Sequence, residues 1–272
     1  VIAEIRTLWP EGKAVHIEEI QDLVEKALMK ENFHNIAKKY ILYREQRANT
    51  REVESQKDDV AIDWSSVKNF TFKSASGADK PLDVDALKFK IEACCQNLPN
   101  VSANKILNES IKNYFNGMTE EDMFSSNIMA AKAFLEVEPD YAFAAARLLL
   151  LKEYEEAIDK ELSFADIKTE YANYFKKFLA KAADLELLSP ELLEFDLDVL
   201  GGALDAQRDF LFRYMGLQTL YDRYFLHWED RRIELPQIFW MRVAMGLAKS
   251  EGAQKNTKAI EFYNILSSFR FT

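Results

Sequence analysis

The chain has 272 residues, 48% of them hydrophobic, enough for one large or two to three small globular domains. Its 35 Lys and Arg stand against 45 Asp and Glu, a formal net charge of −10, which disfavours a nucleic-acid surface but leaves room for a nucleotide site built from a few local cations. With 8 Gly and 6 Pro, the expectation is long helices and few tight turns.

The first residue is Val, inside an apolar-periodic segment (Val1, Ile2, Ile5, Leu8), so the N-terminus reads as a cut rather than a natural start. After Trp9-Pro10-Glu11-Gly12, residues Ile17, Ile20, Leu23, Val24 and Leu28 form one helical stripe. Phe33, Ile36, Tyr40, Ile41 and Tyr43 mark a second helix, expected to end in Arg44, Gln46 and Arg47. From the residues alone this is an amphipathic helical hairpin with a solvated charged face. The order IEEIQDLVEKALM followed by AKKYILYREQRA is more specific. It resembles the closing helices of an ATP-cone, the small nucleotide-sensing module of ribonucleotide reductases. That module holds a triphosphate with Lys and Arg from a hairpin and from the end of its last helix. The resemblance therefore implies phosphate contacts from Arg44 and Arg47, one turn apart, and a nucleotide contact from Gln21. Ordinary helix-end charges are the alternative.

From Arg47 to Asp63 the sequence is polar and without a stripe, and residues 51–66 are expected to be a linker. Val67, Phe70 and Phe72 then suggest a strand, and Ser74-Ala75-Ser76-Gly77-Ala78 a hairpin turn. Asp83 is placed to N-cap a helix over residues 84–96, and a second helix is expected from Ser102 to about Phe115, broken by Gly117. Thr119 with Asp122 reads as a capping box for a third, and Pro139-Asp140 opens a fourth, YAFAAARLLLLKEYEEA. A hairpin followed by four helices is the ATP-cone order, and GMTEEDMFSSNIMAAKAFLEVEPDYAFAAARLLLLKEY parallels residues 12–45 as a diverged repeat. The nucleotide-binding pattern is worn in this copy. Lys73-Ser74-Ala75-Ser76-Gly77 stands where the family has Lys-Arg-Asp-Gly, Lys80 where a Glu is usual, and Ala86 where a Lys is usual. Lys73 and Lys88 are the residues with the charge to compensate.

Beyond Glu155 the pattern is helical. Phe164, Ile167, Tyr171, Tyr174, Phe175, Phe178 and Leu179 form an aromatic stripe, which is core far more often than a cofactor box. Gly201-Gly202 marks a break. Tyr221 to His227 reads as a short extended segment, Trp228 to Arg232 as a polar turn, and Ile233 to Leu235 as a second extended piece. Pro236 opens a helix, and another begins after Asn256-Thr257. The order LYDRYFL…IELPQIFWMRVAMGLA…AIEFYNILSSFRF resembles the end of the N-terminal helical region of class I ribonucleotide reductase large subunits. In those proteins a Thr-Pro-Thr-Leu-type loop, a barrel strand and the first catalytic cysteine follow. The chain is thus expected to be a piece that stops short of the chemistry.

Composition offers no independent active site. Cys94 and Cys95 are adjacent, cannot bridge each other on one helix without strain, and do not have zinc spacing. They match none of the family's catalytic cysteines. His16, His34 and His227 are scattered, away from ligand partners, and are read as structural or surface residues. Asp222-Arg223 and Glu229-Asp230-Arg231-Arg232 read as surface ion pairs. No P-loop, Rossmann glycine pattern, signal peptide or transmembrane run occurs, and two reduced cysteines suit a cytoplasmic protein.

The fold expected is mainly α: ATP-cone modules (a short β-hairpin with a four-helix cluster) followed by an all-helical domain. The divisions are residues 1–50 for the back half of a first cone, 51–66 for a linker, 67–155 for a second, degenerate cone, and 156–272 for the helical domain. The resemblance implies a parent that reduces ribonucleotides to deoxyribonucleotides by radical chemistry, with ATP and dATP as allosteric effectors. Its partners would be a radical-generating small subunit and further copies of the large subunit, with no nucleic acid or membrane. The stretch itself is expected to lack reductase activity, to bind no nucleotide alone and to hold no metal. A stand-alone cone-containing repressor is the alternative, but it would need two separated CxxC pairs. A helical adaptor is the other.

Overall fold

The structure, a computed structural model, describes residues 17–57, 64, 67, 69–74 and 77–270, with the side chains of residues 17, 18 and 47–57 outside that description. The chain divides into two compact units, Val1–Val60 and Ala61–Thr272.

In the first unit, α1 (Ile17–Lys30) and α2 (His34–Lys57) form a helical hairpin. Leu23 and Ala37 are its buried apolar residues among those described. The turn is a Schellman closure. Phe33 N–H donates to Leu28 O at 2.9 Å and Asn32 N–H to Met29 O at 3.1 Å, with Asn32 at φ +60°, a conformation its short polar side chain tolerates. The second helix does not end at Arg47, as its stripe suggests, but continues to Lys57. No Pro or Gly occurs between those residues, so nothing in the backbone chemistry stops the helix when the apolar stripe gives out.

The second unit opens with an antiparallel hairpin of β1 (Thr71–Lys73) and β2 (Asp79–Pro81), in the register Thr71↔Pro81, Phe72↔Lys80 and Lys73↔Asp79. The free edge of β1 is covered by the loop before the third following helix. Asn116 Oδ1 accepts from Thr71 N–H at 2.8 Å, Gly117 N–H donates to Thr71 O at 2.7 Å, and Lys73 N–H donates to Met118 O at 2.8 Å. Gly117 makes that fit at φ +83°, where a side chain would be strained. Four helices follow: α3 (Val84–Cys95), α4 (Ala103–Lys112), α5 (Glu120–Lys132) and α6 (Tyr141–Ile158). Their starts are those the sequence marks. Asp83 accepts from Ala86 N–H at 2.9 Å, and Thr119 and Asp122 form the reciprocal capping box, each backbone N–H bonded at 3.0 Å to the other's side chain.

Helix α6 is the axis of the unit. Ala144 to Ala146 and Leu148 to Leu151 are all buried, so it is apolar nearly all round and packs against α3 and α5 and against later elements. It runs past Glu155 without interruption, and one continuous core joins residues on both sides of that position. Helix α7 (Ile167–Asp184) buries Ile167, Tyr171, Phe175, Phe178 and Leu179, so the aromatic stripe is core. The short α8 (Leu197–Gly202) lies close on α7: a Cβ at Gly201 would sit 3.3 Å from Phe175 Cδ1. Then come α9 (Tyr214–Arg223), the two-residue strands β3 (His227–Trp228) and β4 (Arg231–Arg232), α10 (Pro236–Ala248) and α11 (Lys255–Ser267).

The hairpin region corrects the sequence reading. Tyr221 to Arg223 belongs to α9, and the turn is only Glu229-Asp230; Ile233 to Leu235 is buried but pairs in no strand. Leu217, Leu220 and Tyr221 share one helical face against the core, and that burial outweighs the extended tendency of the aromatic run. Helix α11 also starts earlier than expected, at Lys255, so Asn256 and Thr257 lie within it.

Candidate functional site

The three residues singled out for nucleotide contact fare differently. Gln21 sits half-buried on α1, and its side chain makes no hydrogen bond among the described residues. Arg44, on α2, donates from Nη1 to Asp22 Oδ1 at 3.0 Å and to Glu25. It therefore fastens α2 to α1, and a phosphate at this place would compete with two carboxylates. Arg47 lies on the same helix, but its side chain is outside the described residues, and it stands in the interior of α2 rather than at its end.

Of the two lysines with the charge to compensate in the second unit, Lys73 is exposed on β1 without an ion pair among the described residues. Lys88 has only an exposed partner on its own helix, whereas the lysines nearer the interior are paired. Lys90 pairs with Glu155 at 3.2 Å and Glu161 at 2.7 Å, Lys152 with Glu121 at 2.9 Å, and Lys88 with Glu92 at 3.7 Å. The space left between Leu87, Lys90, Phe124 and Leu148 is about 30 Å³. That is room for about one water, whereas small-molecule pockets start at roughly 300 Å³.

Deeper in the second unit lies a polar cluster that the sequence does not announce. Asp209 is 1% exposed. Its Oδ2 accepts from Tyr154 at 2.5 Å and Tyr171 at 2.6 Å, and its Oδ1 from Gln237 Nε2 at 2.7 Å. Tyr263 extends the chain, donating to Gln237 Oε1 at 2.7 Å and accepting from Asp205 N–H at 2.8 Å. Burial raises the Asp209 carboxyl to about 6 in spite of the three donors. The cluster ties α6, α7, α10 and α11 together. Every member is paired, the condition under which a buried polar network specifies one packing. Tyr171 is visible in the sequence only as one ring of the stripe. Asp209 and Gln237 are isolated polar residues whose burial no local pattern signals.

Two further carboxylates are fully buried. Glu234 is held by Arg242, 2.5 Å from Nε to Oε1, and by Leu226 N–H at 2.9 Å. Burial still raises its affinity for a proton, with Arg242 opposing. Glu153, on α6, has no partner for either oxygen, and burial, reinforced by the nearby Asp209, pushes its carboxyl well above the ordinary range.

Cys94 and Cys95 are free thiols inside the α3 core. Burial raises both, Cys95 to about 12, away from the thiolate that redox chemistry needs. His34 and His227 are exposed, His16 lies outside the described residues, and no metal-ligating cluster occurs among those described. The charges of the β3–β4 hairpin do not pair with one another. Arg231 reaches Asp159 at 3.1 Å and Glu156 O at 2.5 Å, and Arg232 Nε donates to Tyr221 O at 2.7 Å. No helix among the described residues is long and apolar enough to cross a membrane.

The arrangement is a helical protein with a two-helix front unit and a second unit whose buried polar groups serve packing. Comparison with known proteins gives the same class a name. The ATP cone domain matches residues 1–49, and the ribonucleotide reductase all-alpha domain matches residues 210–272. The whole chain is 42% identical to the ribonucleoside-diphosphate reductase subunit alpha of Chlamydia muridarum and 40% identical to that of Chlamydia pneumoniae, covering 26% of each. The Helicobacter pylori subunit alpha is 30% identical over 73% of this chain and 24% of its own length. The chain belongs with the ribonucleotide reductase large subunits and spans about a quarter of the length of these relatives.

Proposed function

We propose that these residues are the allosteric and scaffolding region of a ribonucleoside-diphosphate reductase large subunit. The observation that carries this is the likeness of the whole chain to about a quarter of the length of the reductase alpha subunits, together with the cone match at residues 1–49. The parent reduces ribonucleotides to deoxyribonucleotides by radical chemistry with a radical-generating small subunit. It works in the cytoplasm, as an assembly of large-subunit copies, under ATP and dATP control. The front unit senses the effector. Arg47 and Gln21 contact it, and Arg44 joins them by releasing one of its two carboxylates. In the full-length subunit, Arg47→Ala is expected to weaken dATP binding at the front unit by about tenfold or more, since a charge-assisted hydrogen bond contributes roughly 1.5–3 kcal/mol. Calorimetry decides it, and unchanged dATP affinity would remove Arg47 from the site.

Residues 67–155 make a second cone that has kept the hairpin-and-four-helix order and lost the ligand. The ion pairs that hold Lys90 and Lys152 and the 30 Å³ of space beside Leu87 and Leu148 support this reading. A protein of residues 61–272 should show no dATP-dependent rise in melting temperature at millimolar ligand, although even a weak specific site would raise it by mass action. A shift that grows with dATP concentration would mean that this cone still senses nucleotide.

A further inference from the structure

A groove of about 370 Å³ opens where the C-terminal end of α6, one face of α7 and the β3–β4 hairpin meet. Its size falls within the range of small-molecule pockets, roughly 300–1,000 Å³. The groups that build its walls are all engaged. The Tyr174 hydroxyl shares its proton between the Ile233 and Ala157 carbonyls, 2.8 and 2.9 Å away, which ties α7 to both other walls. Arg231 bonds Glu156 O and Asp159. Glu156 is turned into the protein, accepting from the Tyr221 hydroxyl and Arg232 N–H. The carbonyl end of α6 would by itself repel an anion, but Tyr174 and Arg231 cap it.

The groups facing the open space are not engaged. The side chains of Lys177 and Lys181, one turn apart on α7 and both exposed, make no hydrogen bond or ion pair among the described residues. This separates them from their neighbours, for Lys176 pairs with Asp198 and Lys160 with Glu170. Across the groove stands Trp228, 41% exposed, an indole face left in solvent. Glu229, the first residue of the two-residue hairpin turn, takes the positive φ of +55° that such a turn requires. Its carboxylate is the one unpaired negative group among the lining residues, against two unpaired lysines.

We propose that this groove binds a small organic anion that carries a planar ring, the anionic group (phosphate or carboxylate) held by Lys177 and Lys181 and the ring lying on Trp228. The rigid walls supply the preorganisation that lets two exposed lysines hold a ligand, and an open indole face is the natural seat for a flat ring. The site is separate from the front unit and does not depend on the nucleotide reading.

The test uses the 272-residue chain with phenyl phosphate as probe, and phenylacetate, inorganic phosphate and benzyl alcohol beside it. Phenyl phosphate and phenylacetate should quench tryptophan emission saturably, and both should bind more tightly than inorganic phosphate or benzyl alcohol. Trp228→Phe should abolish the quench, and Lys177→Ala and Lys181→Ala should each weaken binding about fivefold, the scale of one exposed charge contact. Unchanged melting curves would show that the variants fold. Isothermal calorimetry on Trp228→Phe checks affinity where the optical signal is lost. Inorganic phosphate binding as tightly as phenyl phosphate, affinity unmoved by either lysine variant, or no binding at millimolar probe would each overturn the proposal.

Discussion

Replacing Asp209 with alanine should lower the stability of the second unit by about 3 kcal/mol, the consequence of leaving several buried donors without an acceptor. Tyr154, Tyr171 and Gln237 all aim at this carboxylate, and all three are fully buried. Each stranded donor costs roughly 1–3 kcal/mol, while the removed desolvation of the carboxylate itself offsets part of the sum. Asp209→Asn should cost less, since it keeps one acceptor oxygen and the shape of the site. Urea unfolding at neutral pH, with the slope compared to confirm a single transition, measures both. An alanine variant within about 1 kcal/mol of the parent would show that the network is not what holds the four helices in place.

The second large effect has the opposite sign. Glu153 lies in the core of the central helix with both oxygens unpaired, so a methionine of similar shape should raise stability by about 2 kcal/mol at neutral pH. The pH dependence distinguishes this from a general packing gain. An acid whose folded value is raised holds its proton in the native state after the unfolded chain has released it. Stability then falls as pH rises from the unfolded value to the folded one. For Asp209 that window runs from its ordinary value to about 6. Glu153 extends it upward, being pushed well above its ordinary range, while Glu234 and Glu155 are raised more gently against Arg242 and Lys90. Asp122 and Asp166, held low by their bonds to Thr119 and Ser163, act in the reverse sense, but only at or below the ordinary carboxylate range of about 4. The unsubstituted protein should therefore lose stability as pH rises through the Asp209 window and go on losing it beyond that window, and Glu153→Met should remove the loss that persists beyond it. Parallel curves for the two proteins would mean that Glu153 is not a neutral acid in the core.

The sequence by itself determined what depends on neighbours a turn or two away. The capping groups Asp83, Ser102, Thr119 and Asp122 stand at the helix starts they announce, because a cap reads only the first three residues of its own helix. Pro236 opens α10 for the same local reason, and the stripe from Ile167 to Leu179 is core because its spacing lets no other face carry the rings. The kinship with reductase large subunits was also legible, since it rests on residue order rather than on contacts. Only the tertiary structure decided the rest. The run from Tyr221 to His227 has the residues of a strand, and it is burial of Leu217 and Leu220 against the core that keeps its first part helical. That Arg44 is held by Asp22 and Glu25, on the other helix of the hairpin, is likewise invisible in the sequence. Asp209 and Glu153 look like any surface acid in sequence. Their burial is set by partners many residues away, and burial, not identity, is what makes one the centre of a network and the other an unpaired acid.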